Sequence, residues 1–521
     1  MFKPLQSLLR PIFLRLESGV DWLVGPGANP LYHLGALTFF FFWIVAATGL
    51  YLFIPYETSV ATVYQSVEKI THEQWYFSGV MRSLHRYGSD AMVVTTMVHL
   101  TREFAFDRFS GARWFAWITG VPLLAFLFTS GITGYWLVWD MLAQYLAVGS
   151  LEWVDWFGIF GESTARNFLF RGFLTDRFFT LLIFIHIFVP LFLLIVMFVH
   201  IIRISRPGVN PPKLLAWGTF LMLLALSFVF PATSHGPADL GVEPAVLNLD
   251  WFYMFLYPVF DNWGPAKLWA LVAVVAVALF VMPWLQFKKR PAAAEVHLDQ
   301  CNGCTRCTLD CPFGAVVMIN RTDGRPFARE AKVDPDICTA CGICVGSCPT
   351  STPFRSAAQL ATGIDLPGLP LVALKEKVVA AMDRLNGGPA TVIVFGCEHG
   401  VDAASLEGEG VASVTVPCTG MIPPPFVDFI LSDGGADGVL LTGCRPGDCF
   451  HRLGPRWTDA RMTGAREPAL RDRVPRERVR TAWASPDQPN KLKAEMAAFR
   501  ADLAALEASA VAPPKKEAAH A

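Results

Sequence analysis

Two apolar stretches of this chain each carry a pair of histidines fourteen residues apart. "RSLHRYGSDAMVVTTMVHL" holds His85 and His99, and "FIHIFVPLFLLIVMFVHII" holds His186 and His200. On an α-helix fourteen residues rise about 21 Å and make nearly four turns, so both histidines of a pair project from roughly one face. Ionisable groups in a hydrophobic span are costly and usually face the interior of a helix bundle, where they mark function. The spacing therefore predicts at least two packed membrane helices, each with one imidazole near either membrane surface.

An imidazole nitrogen can bind haem iron axially. Two such helices side by side would hold two haems, one above the other. A histidine hydrogen-bonded to a backbone carbonyl is the plainer alternative, and equal spacing in two separate segments weighs against it. Glycine adds to the argument. Gly35 and Gly49 are fourteen apart in one apolar run, and Gly120 and Gly134 in another. A missing side chain lets a flat macrocycle approach the backbone, although close helix packing also selects glycine in membranes.

The hydrophobic share of the 521 residues is 53%, unevenly spread. Six runs are long enough to cross a bilayer as helices, at about 33–54, 83–103, 114–138, 179–203, 214–231 and 267–286. The opening "MFKPLQSLLRPIFLRLESGV" has charges within it and no continuous apolar core, so it reads as an amphipathic helix on the membrane surface. Positive charge near span ends sets orientation. Lys3, Arg10 and Arg15 precede the first run. Arg102, Arg108 and Arg113 follow the second, Arg203, Arg206 and Lys213 follow the fourth, and "FKKR" closes the sixth. Residues 232–266 have no Lys or Arg, while 139–178 mix Arg166, Arg171 and Arg177 with acids. The best fit places both termini in the cytoplasm of a bacterial-type inner membrane. A formal net charge of −1 and no basic patch give no nucleic-acid footprint.

Residues 28–287 resemble cytochrome b of the cytochrome bc and b6f complexes. The features that carry this are "NPLYHLG…ATGLYL", "RSLHRYG…MVHLTREF", "GITGYWLVW" and "HIFVPLF…VHIIRISRPGVNPP". The resemblance implies that His85 pairs with His186 on the haem nearer the outside, and His99 with His200 on the haem nearer the cytoplasm. Arg82 and Arg102 match family arginines near haem propionates. "PADLGVEPAVLNLDWFYMFLY" resembles the loop that leads to the Pro-Glu-Trp-Tyr motif of an outer quinol site. Leu249, Asp250, Trp251 and Phe252 occupy the motif, and Val138 stands before Trp139 where the family has proline. Asp250 is thus a candidate proton acceptor for quinol; a helix-capping carboxylate is the alternative. A quinone site on the outer or on the cytoplasmic side stays open.

All twelve cysteines fall between Cys301 and Cys449, so covalent haem attachment within the membrane half is excluded. "CNGCTRCTLDCP" supplies Cys301, Cys304, Cys307 and Cys311; "CTACGICVGSCP" supplies Cys338, Cys341, Cys344 and Cys348. Both match the bacterial ferredoxin run, in which the fourth cysteine ligates the other cluster. By that rule Cys301, Cys304, Cys307 and Cys348 bind one [4Fe–4S], and Cys338, Cys341, Cys344 and Cys311 the second. Zinc or disulfides would need another arrangement or compartment.

Farther on, "ATVIVFGC", "VASVTVPC", "ADGVLLTGC" and "RVRTAWAS" read as buried parallel strands with helices between them. Cys397, Cys418 and Cys444 each end such a strand and Cys449 follows in "GCRPGDC", so all four converge where parallel sheets hold ligands. This set suits one [2Fe–2S] cluster, with inert buried thiols as the alternative. Residues 390–500 resemble the delta subunit of methyl-viologen-reducing hydrogenase through "GADGVLLTGCRPGDCFHRLG" and "CTGMIPPPFVDFIL". In that family the subunit passes electrons to a flavoprotein of the heterodisulfide-reductase type.

The fold class expected is a mainly α membrane protein. A six-helix cytochrome b-like bundle is followed by an α+β ferredoxin domain and an α/β parallel-sheet iron–sulfur domain. The expected divisions are a surface helix at 1–30, the transmembrane domain at 31–290, a ferredoxin-like domain at 291–365, the delta-subunit-like domain at 385–500 and a disordered tail at 501–521. No nucleophile constellation, phosphate loop or dinucleotide fingerprint appears; "GEGVAS" lacks the spacing. The chain thus reads as the electron-transfer and quinone-reactive subunit of an oxidoreductase complex. It would link the membrane quinone pool to a soluble flavoprotein that handles NAD(P)H, ferredoxin or a similar carrier. Coupling to proton-motive force or electron bifurcation is open, and cytochrome b analogy suggests a dimer. The alternative is a redox-sensing and docking membrane protein without quinone turnover.

Overall fold

The computed structural model describes residues 2–159, 161, 163–169, 174–244, 246–285, 291–355, 360–385, 388–432 and 434–511. It divides into two compact units, Met1–Ile202 with Pro207–Phe287, and Arg203–Arg206 with Lys288–Ala521.

The first unit is helical: α1 (Lys3–Val24), α2 (Leu34–Leu52), α3 (Val63–Glu68), α4 (Val80–Ala105), α5 (Trp114–Trp136), α6 (Met141–Asp155), α7 (Thr164–Leu169), α8 (Asp176–Ile201), α9 (Lys213–Val229), α10 (Leu256–Trp263) and α11 (Pro265–Val281). Each of the six apolar runs contains one long helix. Among the described residues, α2, α5, α8 and the stretch Pro265–Trp284 are long and apolar enough to cross a membrane. α9 is apolar but has 17 residues. The 26-residue α4 owes its lower hydropathy to Arg82, Arg86, Asp90, Arg102 and Glu103 as well as its histidines. The arginines and Asp90 have partners inside the unit, described below, and Glu103 lies 3.6–3.8 Å from Arg102, Arg108 and Arg113.

Local chemistry marks the ends of these helices. Asp140 caps α6 by accepting from the Ala143 N–H at 2.8 Å. Gly264 (φ 75°) turns the chain into α11, and Pro265 takes the first helical position. The helices pack in pairs, α2 along α4 and α5 along α8. Leu37, Phe41, Leu84, Val93, Leu127 and Leu146 fill a core between them. α1 lies against α4. Its Leu5, Leu8, Ile12, Leu16, Trp22, Leu23 and Val24 are exposed.

The second unit begins with a ferredoxin-type region. β1 (Glu295–Val296) pairs antiparallel with β4 (Ile364–Asp365), and β2 (Val316–Asn320) with β3 (Arg329–Val333). Short helices α12 (Arg306–Asp310) and α13 (Ile343–Ser347) follow the cysteine loops. After α14 (Leu371–Asp383) comes a parallel sheet of β5 (Val392–Cys397), β6 (Val411–Val416), β7 (Gly438–Gly443) and β8 (Val479–Trp483), in the order β6-β5-β7-β8. Every residue of β5 and β7 is buried, as the continuous apolar reading of these strands requires. α15 (Pro424–Ser432), α16 (Gly454–Met462) and α17 (Pro489–Val511) complete the unit. Val345, Ile364, Phe395 and Val439 belong to one apolar core, so the ferredoxin-type region and the sheet pack as one body.

One expectation is corrected. Residues 501–511 continue α17 where a disordered tail from 501 is expected. Leu492, Met496, Phe499 and Leu503 recur at helical spacing, and all are buried with β5 and β7 residues such as Val392 and Leu440. Residues 512–521, Arg171 and the "FKKR" stretch lie outside the described residues.

Candidate functional site

Each of the four histidines faces one of the four glycines. A Cβ built on Gly49 would lie 2.8 Å from His85 Cε1, and one on Gly134 2.9 Å from His186 Cε1. The same construction gives 3.2 Å from Gly120 to His200 and 3.6 Å from Gly35 to His99. The ring centroids of His85 and His186 are 6.3 Å apart. Two metal–imidazole bonds of about 2 Å each, with the half-width of each ring, span a distance of this size. The matched spacings of glycine and histidine therefore arise because the paired helices place one against the other at two levels.

Sequence reasoning missed the threonines of this site. Thr48, Thr119 and Thr133 each stand immediately before a facing glycine. Their hydroxyls lie 3.2 Å from His85 Nδ1, 3.1 Å from His200 Nδ1 and 3.1 Å from His186 Nδ1. Each hydroxyl also donates to a carbonyl one turn back, at 2.7 Å to Ile44, 2.7 Å to Phe115 and 2.9 Å to Thr129. With its single proton so committed, the oxygen accepts from the imidazole. His85 Nδ1 is also 3.0 Å from the Val45 carbonyl. Nδ1 therefore carries the ring proton, and Nε2 keeps its lone pair for a metal. Three Thr-Gly dipeptides in apolar runs were the available signal.

The arginines behave differently from one another. Arg102 donates to Glu17 Oε1 at 2.7 Å, in a pair almost fully buried between α4 and α1. Arg82 donates to Thr71 Oγ1 and, at 2.9 Å, to Ser234 Oγ. Asp250 does not cap a helix with its side chain; α10 begins at Leu256. Its Oδ2 accepts from both Arg86 and the Tyr135 hydroxyl. Arg86 also lies over the Tyr135 ring, 4.4 Å from its centroid, and 3.4 Å from Asp90. The carboxylate thus joins α4 and α5 in one polar cluster.

The eight ferredoxin-type cysteines separate into two crossed sets. One cavity is lined by Cys301, Cys304, Cys307 and Cys348. Cys341 lies near Cys311 and Cys338, and Cys344 near Cys341, Cys311 and Cys338, with a weaker influence from Cys307 of the other set. Burial pushes the Cys307 and Cys341 thiols up to about 12, with neighbouring thiols adding to the rise at Cys307. Cys304 alone among the twelve is exposed.

At the carboxyl ends of the parallel strands, Cys397, Cys418, Cys449 and Cys444 form a closed ring of thiol–thiol contacts, each touching two others. Bonds from the Cys397 and Cys449 thiols pull Cys444 well down, and bonds to the same two thiols, with burial, push Cys418 well up. Donors of thiol type grouped in fours fit iron–sulfur clusters.

Comparison with known proteins follows the same divisions. The family model described as Cytochrome b/b6/petB matches residues 20–208. A 4Fe-4S dicluster domain matches 288–352, and the model of the methyl-viologen-reducing hydrogenase, delta subunit, matches 400–507. Cytochrome b6 of Porphyra purpurea is 34% identical over 197 residues, which covers 36% of this chain and 88% of the relative. Cytochrome b6 of Prochlorothrix hollandica is 31% identical over 194 residues, covering 36% and 85%. Among solved structures, a chain of a "Hyperthermophilic respiratory Complex III" has a TM-score of 0.41 and 20% identity, covering 50% of this chain and 76% of that one.

Proposed function

The chain belongs to the cytochrome b family as a multi-pass membrane electron-transfer subunit with haem b and iron–sulfur clusters, and from that premise we propose that it links a soluble flavoprotein to the membrane quinone pool. His85 and His186 hold one b haem, and His99 and His200 a second. Gly35, Gly49, Gly120 and Gly134 leave room for them. Two [4Fe–4S] clusters sit in the crossed cysteine sets, and one [2Fe–2S] in the ring of Cys397, Cys418, Cys444 and Cys449. The bound groups supply one-electron redox chemistry.

The observation that carries the reading is the repeated unit of histidine, facing glycine and threonine. The threonine fixes the imidazole tautomer, and the glycine keeps the space beside the ring open. A plain buried histidine needs neither device at the same spacing. Arg86 and Tyr135 hold the Asp250 carboxylate where it can take a proton from a quinol hydroxyl. Arg102, held by Glu17, and Arg82 keep positive charge at the two ends of α4, where propionates need it.

Six spans with both termini in the cytoplasm put the cysteine-rich unit on the side of soluble carriers, in keeping with the arginine and lysine distribution. The partner carries the flavin and handles NAD(P)H, ferredoxin or a heterodisulfide-type carrier, within a multi-subunit, dimeric complex. The domain divisions follow the sequence reading, with the last domain extended to 511. Electrons crossing the membrane between haems at two depths move charge worth about 2.3 kcal/mol per 100 mV. Flow to quinone runs downhill, and proton-motive force can then drive the reverse flow, from quinol to the low-potential carrier.

The test is reoxidation. Purified chain reduced with dithionite is mixed with a soluble quinone analogue, and haem and cluster absorbance are followed. Reoxidation of both supports the reading; centres that stay reduced sink it and leave the docking alternative.

A further inference from the structure

Three cysteine-bearing loops of the second unit meet on one side chain. Arg461, fully buried in α16, donates to Asp310 Oδ2 at 2.5 Å, to Ser347 Oγ at 2.6 Å and to the Gly420 carbonyl at 2.7 Å. Asp310 lies between Cys307 and Cys311, Ser347 between Cys344 and Cys348, and Gly420 two residues past Cys418. Arg466 Nε adds a bond to Asp310 Oδ1 at 2.7 Å. A charge this deeply buried needs every one of these partners, so the loops cannot separate without exposing an unpaired guanidinium.

The backbones under this clamp touch. A Cβ at Gly346 would sit 2.2 Å from the Gly420 carbonyl oxygen, and one at Gly454 2.4 Å from Cys418 Sγ. Cys341, Ile343, Cys418 and Trp457 share one buried apolar cluster. The cavity of the Cys301 set, by contrast, opens toward solvent at Cys304.

We infer that Arg461 and Asp310 form a clamp that fixes the thiol ring of the sheet beside the Cys338–Cys341–Cys344–Cys311 set, making that set, rather than the Cys301 set, the electron-exchange neighbour of the sheet centre. The inference rests on the cluster reading given above. With clusters held by these two cysteine sets, the exchange they would supply is of a single electron, one centre oxidised by one as the other is reduced by one, with no proton moved and no bond broken. Arg461 is a positioning residue. The Cys301 set, with its exposed edge, comes next in line and serves as the port to an outside redox group.

Pulsed EPR on the full chain in detergent, at stepwise reduction, reads the magnetic interaction of the sheet centre with each [4Fe–4S] signal. The strongest interaction should persist in Cys304→Ser and vanish in Cys341→Ser. Arg461→Met should keep all three signals while weakening that interaction and slowing electron exchange between the two centres. Arg461→Lys should recover part of it. If Arg461→Met cannot hold its clusters, Ser347→Ala, which removes one acceptor, should weaken the interaction to a smaller degree. An interaction lost in Cys304→Ser, or left at full strength by both clamp variants, overturns the inference. A wild-type chain with no iron–sulfur signal would overturn the cluster reading itself, and the clamp with it.

Discussion

Gly49 stands so close to His85 that a Cβ on it would lie 2.8 Å from the imidazole Cε1, whereas Gly35 would leave 3.6 Å to His99. The first distance demands movement; the second is ordinary contact. His85 cannot swing aside cheaply, because Nδ1 is tied to Val45 and Thr48. Alanine favours a helix over glycine by about 1 kcal/mol, so any loss must come from the site. Gly49→Ala and Gly134→Ala should each lower the content of one b-type haem, through overpacking of about 1–3 kcal/mol. Gly120→Ala should fall between, and Gly35→Ala should retain both signals. Reduced-minus-oxidised spectra per chain check this ranking, and equal effects at all four glycines would refute it.

The threonines tune rather than build the site. Thr133→Val removes the hydroxyl that accepts from His186 Nδ1 and leaves a ring of lower basicity. A weaker donor stabilises oxidised iron less, so the midpoint potential of one haem should rise. A hydrogen bond of about 1 kcal/mol corresponds to roughly 40 mV for one electron. Thr133→Ser should restore the wild-type value. Potentiometric titration in which valine and serine behave alike would remove the threonine from the tuning of the haem.

Glu17 and Arg102 are partners across 85 residues, with side chains 0% and 4% exposed. Glu17→Ala removes the nearer carboxylate of the buried guanidinium, leaving Glu103 at 3.8 Å, and should cost up to about 3 kcal/mol. The loss should appear as a clear drop in thermal midpoint in detergent, with Glu17→Gln milder because it keeps an acceptor. An unchanged melting curve would show that α1 contributes nothing to the stability of α4.

What the sequence reveals and what it hides divide along this line of local against distant. The spans are legible because length and hydropathy alone determine them, and β5 and β7 because strands buried on both faces read as unbroken apolar runs. The glycine and histidine spacings also show in the sequence, since helical pairing preserves them. Glu17 with Arg102, Arg461 with Asp310, and Arg86 with Asp250 leave no periodic trace. Each pair joins elements whose neighbourhood is decided only by tertiary packing. The continuation of α17 to Val511 was readable from the spacing of Leu492, Met496, Phe499 and Leu503, but the polar composition that follows obscured it.

Asp250 separates a chemical role from a structural one. Asp250→Asn keeps the shape and can still receive the bonds of Arg86 and Tyr135, but it cannot take a proton. Quinone turnover should fall by about 100-fold, as loss of a general base does, with haem spectra intact. Tyr135→Phe should lower turnover less. Turnover at the wild-type rate in Asp250→Asn would make the carboxylate a tether between α4 and α5 and move the quinone site to the cytoplasmic side.

The crossing of the two cysteine motifs gives a sharp spectroscopic test. Cys348 belongs by sequence to the second motif, yet it lines the cavity of Cys301, Cys304 and Cys307. Cys311 belongs to the first motif, yet its field acts on Cys341 and Cys344. Cys348→Ser should therefore perturb the same EPR signal as Cys304→Ser, and Cys311→Ser the same signal as Cys341→Ser. Serine keeps the size of the side chain and weakens the iron bond, so the partner cluster in each variant should remain at full occupancy by iron and sulfide analysis. If Cys348→Ser instead perturbs the signal altered by Cys341→Ser, each motif closes on its own cluster. The order of centres inferred from Arg461 would then have to be redrawn, because Cys311 and Cys348 would exchange places in the chain of electron carriers.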